Sequence, residues 1–349
     1  MTDSPRILVV GCGAIGSVVA AGLAELGGSV SVLTTNSAIA ASVRLHGLRV
    51  VGDSARAAAK LAAVYETLEP SVPPFDYVLL ATQPPQVEEA ARSVLARLAP
   101  DGRMVCFQNG LCEERVARIV GSDRVLGAVV AWGASMIEPG VVDRTSEGGF
   151  TLGRLDGAAD PRAEELGRLL EAVGPVTLTA NLRGARWSKL AINCAVSTLG
   201  TIGGDRLGTL MRARHVRRLA LEVMTEVVMV ARAEQVTLEK VSGTLDLDWL
   251  ALTPAERSVT ASPGLIAKHG LLLAVGARYR RLRSSMLAAI ERGREPAVEF
   301  LNGEIVERAT ERGIPVPINA AARELVWALA RGTERASHAT LRALYDRTR

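Results

Sequence analysis

The beginning of this chain constrains its fold most. "RILVV" (Arg6–Val10) is a short apolar, β-branched run, suited to a strand buried on both faces of a parallel sheet. "GCGAIG" follows, with Gly11, Gly13 and Gly16, and then an alanine-rich helix reaching about Leu26. Gly27 and Gly28 stop that helix, and "SVSVL" (Ser29–Leu33) reads as a second strand. This is a βαβ unit with its glycines where a dinucleotide needs them. Gly11 permits the tight turn, Gly13 lets the backbone approach a pyrophosphate, and Gly16 lets the helix pack on the strand. The helix start offers free N–H groups and a positive dipole end to the phosphates. Gly11, Cys12, Gly13, Ala14, Ile15 and Gly16 are therefore the expected cofactor cradle. Arg6 and the apolar letters after it also resemble a signal peptide, but that reading leaves the second strand and the glycine spacing unexplained.

The end of the second strand bears on which dinucleotide fits. An NAD site usually carries an Asp or Glu there for the ribose 2′-hydroxyl. Here the chain reads "LTTNSA" (Leu33–Ala38), with no acid. Thr34, Thr35, Asn36 and Ser37 can donate hydrogen bonds to a 2′-phosphate, which favours NADP, with Thr35 and Asn36 as the expected contacts. The usual arginine is absent from this turn, and Arg44 is a candidate substitute.

The α/β alternation continues. "DYVLLAT" (Asp76–Thr82) predicts a strand ending at "QPPQ", a helix covers about Val87–Leu98, and "RMVCFQ" (Arg103–Gln108) predicts a strand ending in "NG". A strand-rich stretch follows from Val125 to Arg154. Carboxyl ends of strands in such a sheet face the ligand crevice, which makes Gln83 and Asn109 candidate site residues. Asn-Gly is equally a turn signal. From about Leu182 the pattern is helical, with helices expected near Leu182–Leu199, His215–Gln235, Pro263–Arg292, Pro296–Arg312 and Ile318–Arg331. Gly243–Gly264 reads as a loop-rich insertion. The expected fold class is thus α/β, a Rossmann-type dinucleotide domain over 1–181 followed by an all-α domain over 182–349. A ligand cleft is expected between them, because domain interfaces are favoured sites for small molecules.

Composition narrows the function classes. The 349 residues are enough for two cores, and the net charge is +4. The basic runs "RARHVRR" (Arg212–Arg218) and "RYRRLR" (Arg278–Arg283) lack the interleaved aromatics of a nucleic-acid platform and read as solvated helix faces, either of which could meet an anion. Cys12, Cys106, Cys112 and Cys194 have neither metal-ligand nor redox spacing, and there are only four histidines, so no metal site is expected and a cytosolic, reduced setting is. "LIAKHGLLLAVGARYRRL" is too short and too often interrupted by charge to span a membrane.

One helical stretch carries a row that composition does not explain. In "WSKLAINCAVSTLG" (Trp187–Gly200), Lys189, Asn193 and Ser197 are spaced four apart on an otherwise apolar helix. One charge, one amide and one hydroxyl make a poor solvated face. A lysine snorkelling to the surface is the plainer explanation; a row facing a ligand is the other.

Taken in order, "GCGAIG", "QNG" (Gln108–Gly110), "WSKLAINC", "SSML" (Ser284–Leu287) and "FLNGEIVERATERGIPVPIN" (Phe300–Asn319) resemble the ketopantoate reductase (2-dehydropantoate 2-reductase) family over nearly the whole chain. The resemblance implies NADPH-dependent reduction of a 2-oxo acid to a 2-hydroxy acid in pantothenate biosynthesis, in the cytoplasm. It implies that Lys189 is the general acid, that Asn193 and Ser285 hold substrate, and that Asn109 lies near the nicotinamide. A homodimer is compatible with such a helical domain. Three positions depart from the family pattern. Gln83 stands where lysine is frequent, Ser197 where a second asparagine is frequent, and Ala297 where a site-lining glutamate is usual. Glu299 lies two residues on, about 200° around a helix, and is expected to point elsewhere, whereas Glu295 could approach from the helix start. These departures leave open a reductase of another 2-oxo acid, or an NADP-binding protein without catalysis.

Overall fold

The structure, a computed structural model, describes residues 4–241 and 245–348. They fall into two units, one running to Leu182 and the other beginning at Arg183.

The first unit contains the strands β1 (Arg6–Val10), β2 (Ser29–Leu33), β3 (Arg49–Val51), β4 (Ala63–Tyr65), β5 (Phe75–Leu80), β6 (Leu98–Cys106), β7 (Val125–Val130), β8 (Ala134–Glu138), β9 (Val141–Arg144), β10 (Phe150–Gly153) and β11 (Val176–Leu178). Its helices are α1 (Ala14–Ala24), α2 (Ser37–His46), α3 (Val87–Val94), α4 (Cys112–Val120) and α5 (Pro161–Leu170). Among the described residues the main sheet runs β11-β10-β7-β6-β5-β1-β2-β4, and β3, β9 and β8 form a smaller one. From β4 through β7 the main-sheet strands are parallel; β10 is antiparallel to β7. The chain leaves β1 toward β2 and β4 on one side, then returns to lay β5 on the other, so the order reverses at β1 and β5. A doubly wound sheet opens its ligand crevice at the carboxyl ends of the strands flanking such a reversal. The apolar runs that predicted β1 and β5 are buried there, with Leu8, Val9, Tyr77, Val78, Leu79 and Leu80 fully covered.

The second unit is helical: α6 (Leu182–Gly203), α7 (Leu207–Leu210), α8 (Arg214–Ala233), α9 (Leu247–Leu250), α10 (Pro254–Ser258), α11 (Pro263–Arg278), α12 (Ser285–Glu291), α13 (Asn302–Glu311), α14 (Pro317–Ala330) and α15 (His338–Arg347). No described helix is long and apolar enough to cross a membrane.

Several expectations are corrected. The helix predicted over Pro263–Arg292 is two, α11 and α12, because Ser284 caps a new start by accepting from Leu287 N. The helix predicted over Pro296–Arg312 begins as a 3₁₀ turn (Ala297–Phe300), and Leu301, at φ −119° and ψ −99°, breaks it from α13. β6 starts at Leu98, five residues before the predicted Arg103, and shifts register against β5 between Leu98 and Arg103. β3 and β4 are too short for periodicity to register, whereas α15 falls in the stretch read as helical to the end without bounds of its own. Residues 242–244 of the Gly243–Gly264 insertion lie outside the described residues; the rest holds α9 and α10 rather than open loop. Arg218 is not on a solvated face. It is 4% exposed and donates to the carbonyls of Glu256, Arg257 and Val259 and to the Glu222 carboxylate. Lys268 is equally buried, bonded to Glu256 at 2.6 Å and to the Ala251 carbonyl at 2.8 Å. Buried cations of this kind occur when paired, and here they pin the insertion to α8 and α11. "RYRRLR" is solvated as expected, but beyond Arg278 it is a turn rather than a helix.

Candidate active site

In the first unit the predicted residues gather at the carboxyl edge of the sheet. Gly11 follows β1 with φ +97°, a conformation few other residues tolerate, and a Cβ there would lie 2.9 Å from the Ala81 carbonyl carbon. At Gly16 an added Cβ would stand 2.0 Å from the Gly11 carbonyl oxygen, so α1 can approach the turn only with glycine there. Gly13 is different. It is exposed, it is the N-cap of α1, and an added Cβ would meet nothing within 4 Å. Neither local packing nor backbone strain requires glycine at this point, whereas a dinucleotide lying against the backbone does. No side chain caps α1, and its first turn carries no acid. The cradle therefore fits a pyrophosphate. Cys12 is buried beneath it, and burial raises its thiol pKa; Ala14 and Ile15 are half-buried.

At the end of β2, Thr34 is buried and its hydroxyl accepts from Asn36 N at 3.3 Å. Asn36 caps α2, its side-chain oxygen accepting from Ile39 N at 3.1 Å. Thr35, Asn36 and Ser37 are exposed. Arg44, the candidate phosphate contact, is held by Glu66 at 2.8 Å and the Val64 carbonyl at 3.0 Å. Gln83, after β5, and Asn109, after β6, are both exposed, and Gly110 takes the positive φ of the predicted turn. Between those strand ends, buried Gln108 donates to the Thr82 hydroxyl at 3.3 Å. Sequence reasoning misses Glu113, which is 1% exposed near the start of α4. A Cβ on Gly127 would fall 2.5 Å from its Oε1, so glycine in β7 makes room for the carboxylate.

In the second unit the row on α6 is real. Arg186, Trp187, Ser188, Leu190, Ala191, Cys194 and Ala195 are buried, whereas Lys189, Asn193 and Ser197 are half-buried, together with the adjoining Ile192 and Val196. The Asn193 amide nitrogen is buried with no hydrogen-bond partner among the described residues, and such a donor costs about 1–3 kcal/mol unless something satisfies it.

Two groups hold this helix. Ser284, passed over in the sequence in favour of Ser285, is buried, donates to the Ser197 carbonyl at 2.8 Å and hydrogen-bonds Thr201 at 2.8 Å. It ties the start of α12, and with it exposed Ser285, to the end of the row. Gly200 permits this, since a Cβ there would lie 3.3 Å from Ser284 Cβ. Elsewhere Asn302 bonds Thr198, the Cys194 carbonyl at 3.2 Å and Asn319 at 2.9 Å. Asn319 continues to the Val223 carbonyl and to Glu226, whose carboxylate also accepts from the Ile318 and Asn319 backbone at 3.0 and 2.8 Å. The "LNG" and "PIN" motifs are thus a buried buttress for α6. Burial raises the Glu226 pKa against the hydrogen bonds that favour its charged form.

Ala297 is half-buried at the first position of its 3₁₀ turn. Glu299 points elsewhere, as expected, bonding Arg323 and the Trp327 indole. Glu295 is exposed. Among the described residues no group of three metal-ligating side chains occurs.

The fold and the glycine cradle define a dinucleotide-dependent oxidoreductase with a separate helical unit. The family model described as "Ketopantoate reductase PanE/ApbA" matches residues 7–157, and its C-terminal counterpart matches residues 181–330. Curated relatives include a 2-dehydropantoate 2-reductase of Halobacterium salinarum, 30% identical over 92% of this chain and 97% of its own length, and one of Pyrococcus horikoshii, 26% identical over 94% and 97%. Among solved structures, a PanE/ApbA family ketopantoate reductase from Ralstonia eutropha superposes with TM-score 0.77 at 26% identity, covering 95% of this chain and 100% of that one. A D-mandelate dehydrogenase, solved with NADH and anilino(oxo)acetate, has the same fold, with TM-score 0.77 at 19% identity over 97% and 99%. This chain belongs to the ketopantoate reductase family.

Proposed function

We propose that the chain reduces 2-dehydropantoate to pantoate with NADPH, and that Lys189 is the general acid. The observation that carries this reading is the half-buried row on α6, in which a lysine stands one turn from an asparagine whose buried donor has no protein partner. Substrate oxygens satisfy Asn193, Ser197 and Ser285, with Asn109 beside the nicotinamide. Gly11–Gly16, Thr35, Asn36 and Gln83 hold the dinucleotide, the threonine and asparagine meeting its 2′-phosphate. When bound, NADPH supplies the hydride that reduces the keto carbon. Lys189 stabilises the charge that develops on the oxygen and gives it a proton. In this reading residues 1–181 bind cofactor, and 182–349 bind substrate and provide any dimer contact. The setting is pantothenate biosynthesis in the cytoplasm.

A second reading, reduction of another 2-oxo acid, is favoured by one observation. Ala297 replaces the family glutamate, and Glu299 is committed to Arg323 and Trp327, so that neighbour does not stand in for the missing carboxylate. Following NADPH absorbance with 2-dehydropantoate and with a panel of branched and aromatic 2-oxo acids decides between the two. The first reading requires 2-dehydropantoate to have the highest kcat/KM, and loss of turnover in Lys189→Ala. Preference for another acid establishes the second. NADPH binding without turnover of any acid overturns both.

A further inference from the structure

The start of α8 opposes ordinary helix electrostatics. Its first turn carries Arg214, His215 and Arg217, it has no acid there, and its N-cap, Ala213, offers no side-chain cap. The N-terminal end of a helix is the positive end of its dipole, where cations are unfavourable and anions favourable. Arg218 is neutralised by Glu222 at 2.7 Å. Arg214 bonds the Thr260 carbonyl, and Arg217 the carbonyls of Met211 and Arg212; neither has a carboxylate partner among the described residues. This end of the helix thus holds uncompensated positive charge in a 20-residue dipole.

A cavity of about 260 Å³ opens beside it, lined by Arg214, His215 and Arg218 of α8, His269 of α11, and Arg342 and Tyr345 of α15. His269 is only 8% exposed, and its Nδ1 has no hydrogen-bond partner. His215 Nε2 is likewise buried and unpartnered. Of the arginines that wall these two unsatisfied ring nitrogens, Arg218 is paired with Glu222 and Arg342 with Asp346 at 3.0 Å, which leaves Arg214 without a carboxylate among the described residues. Burial first, and then Arg217, Arg214 and Arg218, push the His269 pKa down to about 4. Burial and Arg342 lower that of His215, against Asp346.

We propose that this cavity binds a phosphoryl group, carried by a small phosphate ester or as free phosphate, at a site that uses no residue of the dinucleotide cradle. A dianion offsets both the unpaired arginine and the helix end, and its oxygens accept from guanidinium forks and imidazole N–H groups. A carboxylate supplies half that charge. The volume exceeds that of a lone tetrahedral anion, which leaves room for an organic body against the Tyr345 ring. Neither His215 nor His269 takes part in the proposed reduction, so occupancy here is independent of that reading.

Histidine ring NMR tests this, because the chain has only four histidines, His46, His215, His269 and His338. His215→Gln and His269→Gln assign the two relevant signals. Inorganic phosphate and glycerol phosphate are titrated at matched ionic strength against sodium chloride and sodium acetate. The expected result is saturable movement of the His215 and His269 signals with both phosphates, none at His46, and a His269 titration moved to higher pH. Tighter binding of glycerol phosphate identifies an ester site; equal binding identifies a phosphate site. Arg214→Ala and Arg342→Ala, each shown by its melting curve to be folded, are each expected to weaken binding at least about tenfold, as loss of a charge-assisted contact implies. Equal movement with chloride or acetate, no movement with phosphate, or unchanged affinity in both arginine variants overturns the proposal.

Discussion

The dinucleotide cradle and the α6 row divide the candidate chemistry between two kinds of construction. The cradle is made of backbone, and its working parts are missing side chains. Gly11 and Gly16 make room within the protein, and Gly13 makes room for something outside it. The row is made of side chains whose position depends on partners far along the chain. Asn302 lies 108 residues from the Cys194 carbonyl it holds, and Ser284 lies 87 from Ser197. Substitution should therefore break the first region by filling space and the second by removing contacts.

The largest effect is expected at Lys189. Lys189→Ala should lower kcat by about 10²–10⁴, the range for a positioned proton donor, while NADPH affinity, measured by fluorescence titration, stays near the parent value. Equal loss of kcat and of NADPH affinity would mean that the row acts on cofactor binding, and the contrast between the two regions would fail. Next comes Asn302→Ala. It removes the partner of the Thr198 hydroxyl and of the Asn319 side-chain oxygen in a buried site, where each unsatisfied group costs about 1–3 kcal/mol. A loss of about 3 kcal/mol in denaturant unfolding is expected. At temperatures where the variant remains folded, KM for the oxo acid should rise with NADPH affinity unchanged.

These two constructions were not equally legible. A glycine at a fixed offset after an apolar strand has one common physical meaning, so β1, α1, β2 and the cradle could be read from adjacent letters. The order of "LNG" and "PIN" could be seen, but not that they converge on the Cys194 carbonyl and Glu226, because no local rule relates residues a hundred apart. Ser285 drew attention where Ser284 does the tying, since neighbouring serines are alike in sequence and only helix capping tells them apart. Arg218 read as solvent-facing because arginine usually is; its carbonyl partners lie in an insertion with no recognisable pattern.

Gly16→Ala comes third. Its Cβ would stand 2.0 Å from the Gly11 carbonyl, and overpacking of this kind costs about 1–3 kcal/mol. Both the thermal midpoint and NADPH affinity should fall. Gly13→Ala sharpens the distinction, because its Cβ meets no protein atom within 4 Å. Stability should stay within about 0.5 kcal/mol of the parent while NADPH affinity drops. Unchanged affinity in Gly13→Ala would mean that the dinucleotide does not lie against this turn.

The smallest expected effect is a dependence on pH, and it belongs to neither construction but to His269 of α11, outside both the cradle and the row. His269 is held neutral in the folded state, its pKa pushed down to about 4 by burial and three arginines. In the unfolded chain it takes up a proton through the ordinary histidine range. Between those two values the unfolded state binds more protons, so stability rises with pH and is lost as pH falls. From neutrality down to pH 6 the loss from this residue is below about 1 kcal/mol, and it grows toward pH 4. Parent and His269→Gln proteins melted across this range should diverge, the parent losing more on the acid side. Phosphate in the buffer should reduce the divergence if the cavity beside His269 takes up an anion, because a nearby dianion lets the folded protein keep the proton. Parallel curves for the two proteins would mean that His269 is protonated in the folded state without penalty, and the arginines around it would then need another counter-charge.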